Sequence, residues 1–172
     1  MKHILATTLL ALGLAISAPA ADSATLEASG LTFKHPATWT KVPSSSSMRL
    51  ATIEIKVEGE EQAIQIGVFA FGAAAGVQAN VDRWLKQFAA EPKPESKVEE
   101  LDANGTKVTL VTATGTFNDM MAGKGPQENF TMLGAIIPAG ENNVFLKLTG
   151  PKGGVAKVAE EFKKMAVSPF AK

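Results

Sequence analysis

The chain has 172 residues, carries 17 basic and 17 acidic side chains, and contains no cysteine. A chain without thiols cannot form disulfides, thiolate metal sites or iron–sulfur clusters, and it cannot use a cysteine nucleophile. Its balanced charge gives it no electrostatic reason to bind nucleic acid or an anionic membrane.

The N-terminus has the three parts of a signal peptide. Lys2 and His3 form a short basic start, residues 4–16 are an apolar stretch of 13 residues, and residues 17–21 (Ser-Ala-Pro-Ala-Ala) are small. A membrane-spanning helix needs about 20 apolar residues, so this stretch is too short to be an anchor. A buried N-terminal helix is the alternative, and the lack of a polar face disfavours it. We therefore predict cleavage after Ala20 or Ala21 and export of one domain, residues 22–172, that is periplasmic or secreted without stable membrane insertion.

Strand patterns dominate the first half of that domain. Short extended segments are predicted at residues 31–34 and 39–42, around the pair His35-Pro36. Apolar and polar residues alternate over residues 48–57 and again over residues 62–71, which indicates two half-buried strands. The intervening residues 59–61 (Gly-Glu-Glu) suit a hairpin turn.

The second half contains two further predicted hairpins and one long loop. Asn104-Gly105 joins predicted strands at residues 97–103 and 106–117, and this dipeptide favours a turn with two positive φ angles. Residues 138–142 join predicted strands at 131–137 and 143–149. Residues 118–129 contain Gly123, Gly125 and Pro126, and we predict a long loop there.

Two segments have helical spacing instead. Apolar residues recur at steps of three and four in a mid-chain segment (Val77, Val81, Trp84, Leu85, Phe88) and near the C-terminus (Val155, Val158, Phe162, Met165). Gly150-Pro151 suits the start of the second helix and Ser168-Pro169 its end. The sequence thus predicts an α+β domain, a mostly antiparallel sheet flanked by helices.

Three motifs carry a resemblance to a known family. The opening Leu31-Thr32-Phe33-Lys34-His35-Pro36-Ala37-Thr38-Trp39 is similar to the "apolar-x-F-x-x-P-x-x-W" start of the Mog/PsbP-like α/β/α sandwich. The segments at residues 76–88 (GVQANVDRWLKQF) and 147–151 (KLTGP) resemble a group of uncharacterised exported bacterial proteins with that fold. The resemblance spans about residues 31–168.

The resemblance implies a fold and not a reaction. The broader fold includes an extrinsic subunit of the photosynthetic oxygen-evolving complex and a binder of a nuclear-transport GTPase, both of which act by docking to partners. No functional residue transfers from either, because no binding motif matches residue by residue. Fold alone is a weak argument for function.

The residues that could carry catalysis are few. His35, which lies in a loop or at a strand end, is the one histidine after residue 21, and Ser44, Ser45, Ser46 and Ser47 follow it. A histidine can act as a general base, but a turn residue is the simpler interpretation. A serine–lysine pair is conceivable, although no Ser-x-x-Lys spacing is present at a helix start. We predict no catalytic site, no metal site and no cofactor.

Five residues are candidates for a binding surface. Arg49 and Arg83 could clamp an anion or a carboxylate, or form structural ion pairs. Lys147 interrupts an apolar strand, where a lysine usually extends to solvent on an outer face. Met120 and Met121 lie in the long loop and could contact a partner, or fold back onto the domain.

The predicted function is therefore that of an exported, non-enzymatic binding or accessory domain of the bacterial envelope. Its partner, an envelope protein or a small ligand, is unknown. The alternatives are a small-ligand carrier, or a hydrolase that uses His35 or a serine–lysine pair.

Overall fold

The computed structural model describes residues 22–44, 46–118 and 125–172. The predicted signal peptide, residues 1–21, and the candidates Met120 and Met121 lie outside these ranges. Within them, no helix is long and apolar enough to cross a membrane.

Nine strands and two α-helices make up the described part of the chain. In order they are β1 (Ser23–Ala28), β2 (Leu31–Pro36), β3 (Thr40–Val42), β4 (Ala51–Ile55), β5 (Ile64–Gly72), α1 (Val77–Leu85), β6 (Glu95–Ala103), β7 (Thr106–Phe117), β8 (Gln127–Ala139), β9 (Asn142–Pro151) and α2 (Lys152–Val167). Short 3₁₀ helices precede α1 and follow α2.

Seven of the strands form one sheet in the order β3-β4-β5-β9-β8-β7-β6, and every neighbouring pair is antiparallel. The strands β1 and β2 form a separate antiparallel hairpin. The predicted fold class, α+β with a mostly antiparallel sheet flanked by helices, is confirmed.

The turn between β6 and β7 shows how local sequence sets the register. Asn104 and Gly105 have φ angles of 52° and 84°, as a two-residue type I′ turn requires. The pairing then runs without a shift from Ala103 opposite Thr106 to Glu95 opposite Thr114. Between β7 and β8 the register shifts once, near Gly115 and Phe117, and Asn129 in the bulged strand has a φ of 54°.

The sheet has an apolar core on each face. On one face, helix α2 and the β1–β2 hairpin cover side chains such as Ile53, Ile66 and Leu148, and Phe33 and Phe162 fill the space between the layers. On the other face, α1 covers a smaller cluster formed by Val81, Trp84, Phe88, Val111, Ala113, Phe117, Met132, Ile136 and Phe145. Because α1 has only nine residues, it covers only part of its face.

The structure differs from the sequence prediction at four places. Strand β1 was not predicted. Helix α1 ends at Leu85, so Phe88 lies beyond it and forms a β-bridge with Phe117. The long loop was predicted up to residue 129, but β8 already begins at Gln127. Strand β4 begins at Ala51, so Arg49 precedes the strand and does not open it.

Candidate functional site

The candidate site begins where α1 meets the sheet. Gly134 on β8 lies beneath Trp84, and a Cβ atom added to this glycine would overlap the indole ring. Trp84 also meets Phe145 of β9 edge-to-face, with ring centroids 6.1 Å apart. Trp84 is buried and belongs to the core.

Lys147 lies on β9 between two glycines. Its cross-strand neighbours are Gly67 on β5 and Gly134 on β8. Its ammonium group donates a hydrogen bond to Gln87 Oε1 and lies 5.0 Å from the centre of the Phe117 ring. The expectation that Lys147 extends to solvent on an outer face was wrong, because α1 and the segment after it cover this face and leave the lysine half-buried.

Arg49 lies on the other side of Gly67. The Phe69 ring folds back across this glycine, where an added Cβ would be only 2.9 Å from Phe69 Cε2. The Arg49 guanidinium lies over the same ring, 5.7 Å from its centre. The aromatic ring thus holds the cation at the surface of the sheet, in a cation–π contact. Gly67 is therefore adjacent to the backbone of Lys147 on one side and to the Arg49 side chain on the other.

Arg83 lies on α1, one turn after Asn80, so the two residues are on the same side of the helix. Gln87, which lies past the end of α1, contacts Lys147. Arg83 donates a hydrogen bond of 2.7 Å to Asn80 Oδ1, and Asn80 donates one of 2.8 Å to Gly76 O. The structural role predicted for Arg83 was an ion pair, but its partner is the side-chain amide of Asn80. The guanidinium is exposed.

Apolar side chains are exposed around the second half of β5. Leu50 is 53% exposed, and its backbone N–H bonds to Val68 O, which holds it beside β5. Phe71, 38% exposed, is near the end of β5 and stacks on Phe69 with centroids 6.1 Å apart. Met48 precedes Leu50, and Val77 begins α1; both are also exposed. We call the group of Met48, Arg49, Leu50, Phe69, Phe71 and Val77 the β5 surface.

The β5 surface combines aromatic area with a fixed cation. Large apolar side chains gain free energy when a partner covers them. A guanidinium that is already held against a ring loses little conformational freedom when it binds a carboxylate. Such a surface can bind another protein, and it has no group placed to attack a bond. The candidates Arg49, Arg83 and Lys147 therefore converge on one face of the sheet. Leu50, Phe69, Phe71 and Gln87 were not among the site residues predicted from the sequence.

His35 is placed for packing. It is the fifth of six residues in β2, so the strand-end interpretation is the one observed. The ring is buried, stacks on Trp39 at 6.3 Å, and has Nδ1 3.0 Å from Pro36 O. Ser44 Oγ donates to Ser46 O, and no hydrogen bond between His35 and a serine is found within the described ranges.

A cleft of about 190 Å³ brings a different serine and lysine near His35. It is lined by Asp22, Ser23, Lys34, His35, Pro36, Glu161, Lys164 and Ser168. Ser168 Oγ already donates to Met165 O at 2.7 Å and accepts from the Lys34 N–H at 2.8 Å. The Glu161 carboxylate, which accepts a hydrogen bond from Lys164, raises the pKa of Lys164. A lysine that acts as a base needs the opposite shift.

A shallow groove of about 410 Å³ lies at the end of α1. Its lining combines apolar and charged side chains from Asp82, Leu85, Lys86, Phe88, Ala89, Ala90, Lys93 and Pro94. Its volume falls within the usual range for ligand pockets, so it is a candidate site for the small-ligand alternative.

Among solved structures, the chain is similar to cyanobacterial PsbP (CyanoP) from Synechocystis sp. PCC 6803. The TM-score is 0.57, the sequence identity is 14%, and the alignment covers 91% of this chain and 96% of that one. The fold is PsbP-like. This agrees with the fold that the sequence motifs implied, and at this identity it establishes the PsbP-like fold alone.

A second similar structure is that of PA94, a protein of unknown function from Pseudomonas aeruginosa. It has a TM-score of 0.46 and 13% identity, and the alignment covers 83% of this chain and 92% of that one. No protein-family profile matches the sequence, and no curated protein matches it.

Proposed function

We propose that this chain is an exported accessory protein of the bacterial envelope, which binds a protein partner through the β5 surface. The observation that carries the proposal is the position of its exposed apolar residues. Of the five large apolar side chains exposed within the described ranges, four belong to the segments around the second half of β5: Met48, Leu50, Phe71 and Val77. Grouped apolar residues with a polar rim mark sites of protein–protein contact more often than scattered ones do.

The charge of the surface indicates the chemistry of the partner. Arg49 lies over Phe69, and Arg83 is exposed on α1, which covers part of the same face of the sheet. Aromatic residues and arginine are the side chains most enriched at the centres of interfaces. The partner that fits is a protein segment with a carboxylate beside apolar side chains. Strand β4 contributes one acidic residue, Glu54, to this face of the sheet, and strand β5 separates it from Lys147 on β9.

The location in the envelope rests on the sequence. Residues 1–21 have the basic start, apolar centre and small-residue end of a signal peptide. A domain without cysteine folds equally well in oxidising and reducing compartments, so its composition is compatible with the periplasm. The hydrolase alternative loses support because the hydroxyl of Ser168 and the ammonium of Lys164 are already engaged.

The test is photo-crosslinking in cells that make the partner. A photoreactive phenylalanine analogue replaces Leu50 in one variant and Ala156, which is exposed on α2 at the opposite face of the sheet, in the control. We expect a discrete protein adduct from position 50, formed in the envelope fraction and absent from the position 156 variant treated in parallel. Adding Arg49→Glu should remove the adduct, and Arg49→Lys should retain part of it.

Three results would overturn the proposal. One is an adduct at position 50 that Arg49→Glu leaves unchanged while the variant's thermal unfolding matches the parent. Another is the mass increase of a small molecule, which would support the carrier alternative. The third is the absence of any adduct from position 50.

A further inference from the structure

The outer edge of the sheet at β6 is long and regular. Strand β6 (Glu95–Ala103) pairs with β7 on one side, and no other described strand lies on its free side. The register with β7 has no bulge over its whole length. Proteins usually blunt such an edge with a bulge, a proline, a very short strand or charged side chains. Of these devices, β6 has the charged side chains alone. Here the prolines, Pro92 and Pro94, lie before the strand begins.

The two-residue turn fixes which backbone groups point away from β7. In a type I′ hairpin the flanking residues, here Ala103 and Thr106, exchange both of their hydrogen bonds. Alternation along the strand then directs the other odd-numbered residues towards β7. The N–H and C=O groups of Ser96, Val98, Glu100 and Asp102 point outward.

An apolar residue lies near the centre of this edge. Val98 is 50% exposed, and it is the one large exposed apolar residue of the described ranges that is distant from the β5 surface. Its cross-strand neighbour is Val111, on the face that α1 covers. Lys97 and Glu99 lie on the opposite face, where they form an ion pair of 2.8 Å.

The charges of β6 and its length together favour one register for pairing with an identical strand. A pairing centred on Ser96 also sets Lys97 opposite an acid, Glu95, but it joins only residues 95–97 of the strand. If Val98 lies opposite Val98 of a second copy, then Lys97 lies opposite Glu99 of that copy, and the pair occurs twice. A shift that centres the pairing on residue 99 places Glu99 opposite Glu99, and one centred on residue 97 places Lys97 opposite Lys97. If the pairing were centred between two residues, each residue would lie opposite one whose side chain points to the other face of the sheet.

We propose that two copies of this chain associate through β6, antiparallel, with Val98 on the two-fold axis. The outward-pointing groups of Val98 then bond to each other, and those of Ser96 bond to Glu100 of the second copy. The two seven-stranded sheets become one continuous sheet. Exposed ion pairs add little affinity, so Lys97 and Glu99 set the register, while the backbone bonds and Val98 hold the copies together. The dimer therefore depends on concentration.

Single cysteines test the register, because the natural chain has none. In a hydrogen-bonded antiparallel pair the two Cα atoms are about 5.5 Å apart, within the range that a disulfide spans. Val98→Cys should form a disulfide-linked dimer under mild oxidation. Ser96→Cys, on the same face and edge, places its two thiols about 13 Å apart and should link at least tenfold more slowly. Equal rates for the two variants would overturn the proposal.

Charge exchange gives an independent test in solution. Lys97→Glu places acids opposite Glu99, and Glu99→Lys places bases opposite Lys97, so each variant alone should be monomeric by sedimentation at concentrations where the parent dimerises. An equimolar mixture of the two should dimerise again, because every cross-pair is then complementary. A parent that stays monomeric up to about millimolar concentration, or a mixture no more associated than its components, would contradict the model of pairing.

A proline variant tests pairing at the β6 edge without disturbing the rest of the fold. Val98→Pro removes an N–H that points away from β7, so the hairpin should survive, as prolines on outward-facing edge positions do. We expect a folded monomer with unchanged crosslinking from position 50. A Val98→Pro protein that still dimerises would show that the contact lies elsewhere.

Discussion

Trp84 lies directly over Gly134, so that the indole ring occupies the space in which any other residue would place its Cβ atom. The contact joins the C-terminal end of α1 to β8, the strand next to β9, and Phe145 closes it from the side. The position of α1 on the sheet therefore depends on the absence of a side chain at one position.

Gly134→Ala should destabilise the protein by about 1–3 kcal/mol or more, because the added methyl group must displace the indole or shift the helix. Chemical denaturation of the variant and the parent measures this difference. Gly72→Ala is the matched control, since nothing lies within 4 Å of an added Cβ there and its φ of −52° suits alanine. The control should change the free energy of unfolding by less than about 0.5 kcal/mol. Equal stability of the two variants would show that Trp84 does not pack closely against Gly134.

Phe162→Ala should cost about 3–5 kcal/mol, because it empties a large site between α2 and the sheet. The side chain is 1% exposed and belongs to the core beneath the β1–β2 hairpin. Phe88→Ala should fall in the same range, since Phe88 is buried against Phe117 on the other face. Urea denaturation gives both values. A loss below about 1 kcal/mol in either variant would mean that the side chain is not part of the core.

The carboxyl of Glu99 should titrate below its ordinary value. The hydrogen bond from Lys97 is the largest cause of the lowered pKa, with the charges of Lys97 and Lys163 acting in the same direction against desolvation. A lowered pKa in the folded state stabilises the protein above the ordinary pKa, and this contribution is lost as the pH falls through the lowered one. Carboxyl NMR titration of Lys97→Met should show the pKa of Glu99 rising. Lys107→Met, which removes the partner of Glu100, should leave it unchanged.

Export predicts the N-terminus of the mature protein. N-terminal sequencing of material recovered from the envelope should begin at Ala21 or Asp22, because the small residues before them fit the cleavage site. Protein from that fraction that still begins at Met1 would contradict the signal-peptide interpretation. A Lys2→Glu variant, which loses the positive charge at the start of the predicted signal peptide, should accumulate in the uncleaved form.

Strands could be predicted where the sequence pattern that marks them lies within a few neighbouring residues. Asn104 and Gly105 fixed a hairpin because few other residues tolerate the two positive φ angles. Strand β1 could not be predicted, because its residues, SATLEA, show no alternation of β-branched and polar side chains and lie close to the predicted cleavage site. Phe88 was assigned to α1 by spacing, yet Gln87 O accepts a hydrogen bond from Asn118 N and Ala89 N donates one to Thr116 O, which draws the segment onto β7.

The sequence pointed to single residues of the candidate site, but it could not show that they lie close together in the fold. Arg49 and Lys147 are nearly 100 residues apart in sequence, and they become neighbours of Gly67 only because β9 inserts beside β5 in the sheet. Such a strand order reflects contacts over the whole chain, and no local pattern reports it. Met120 and Met121 remain predictions.

The row Gly67–Lys147–Gly134 crosses three adjacent strands, and only its middle position carries a side chain. Two aromatic rings, Phe69 and Trp84, enter this shallow trough from opposite ends. Homologous sequences should therefore show compensating changes: a larger residue at position 134 should accompany a smaller one at position 84, and a larger residue at position 67 should accompany a smaller one at position 69. A change at either glycine alone would reposition an aromatic ring, and with it the flank or the cation that the ring supports.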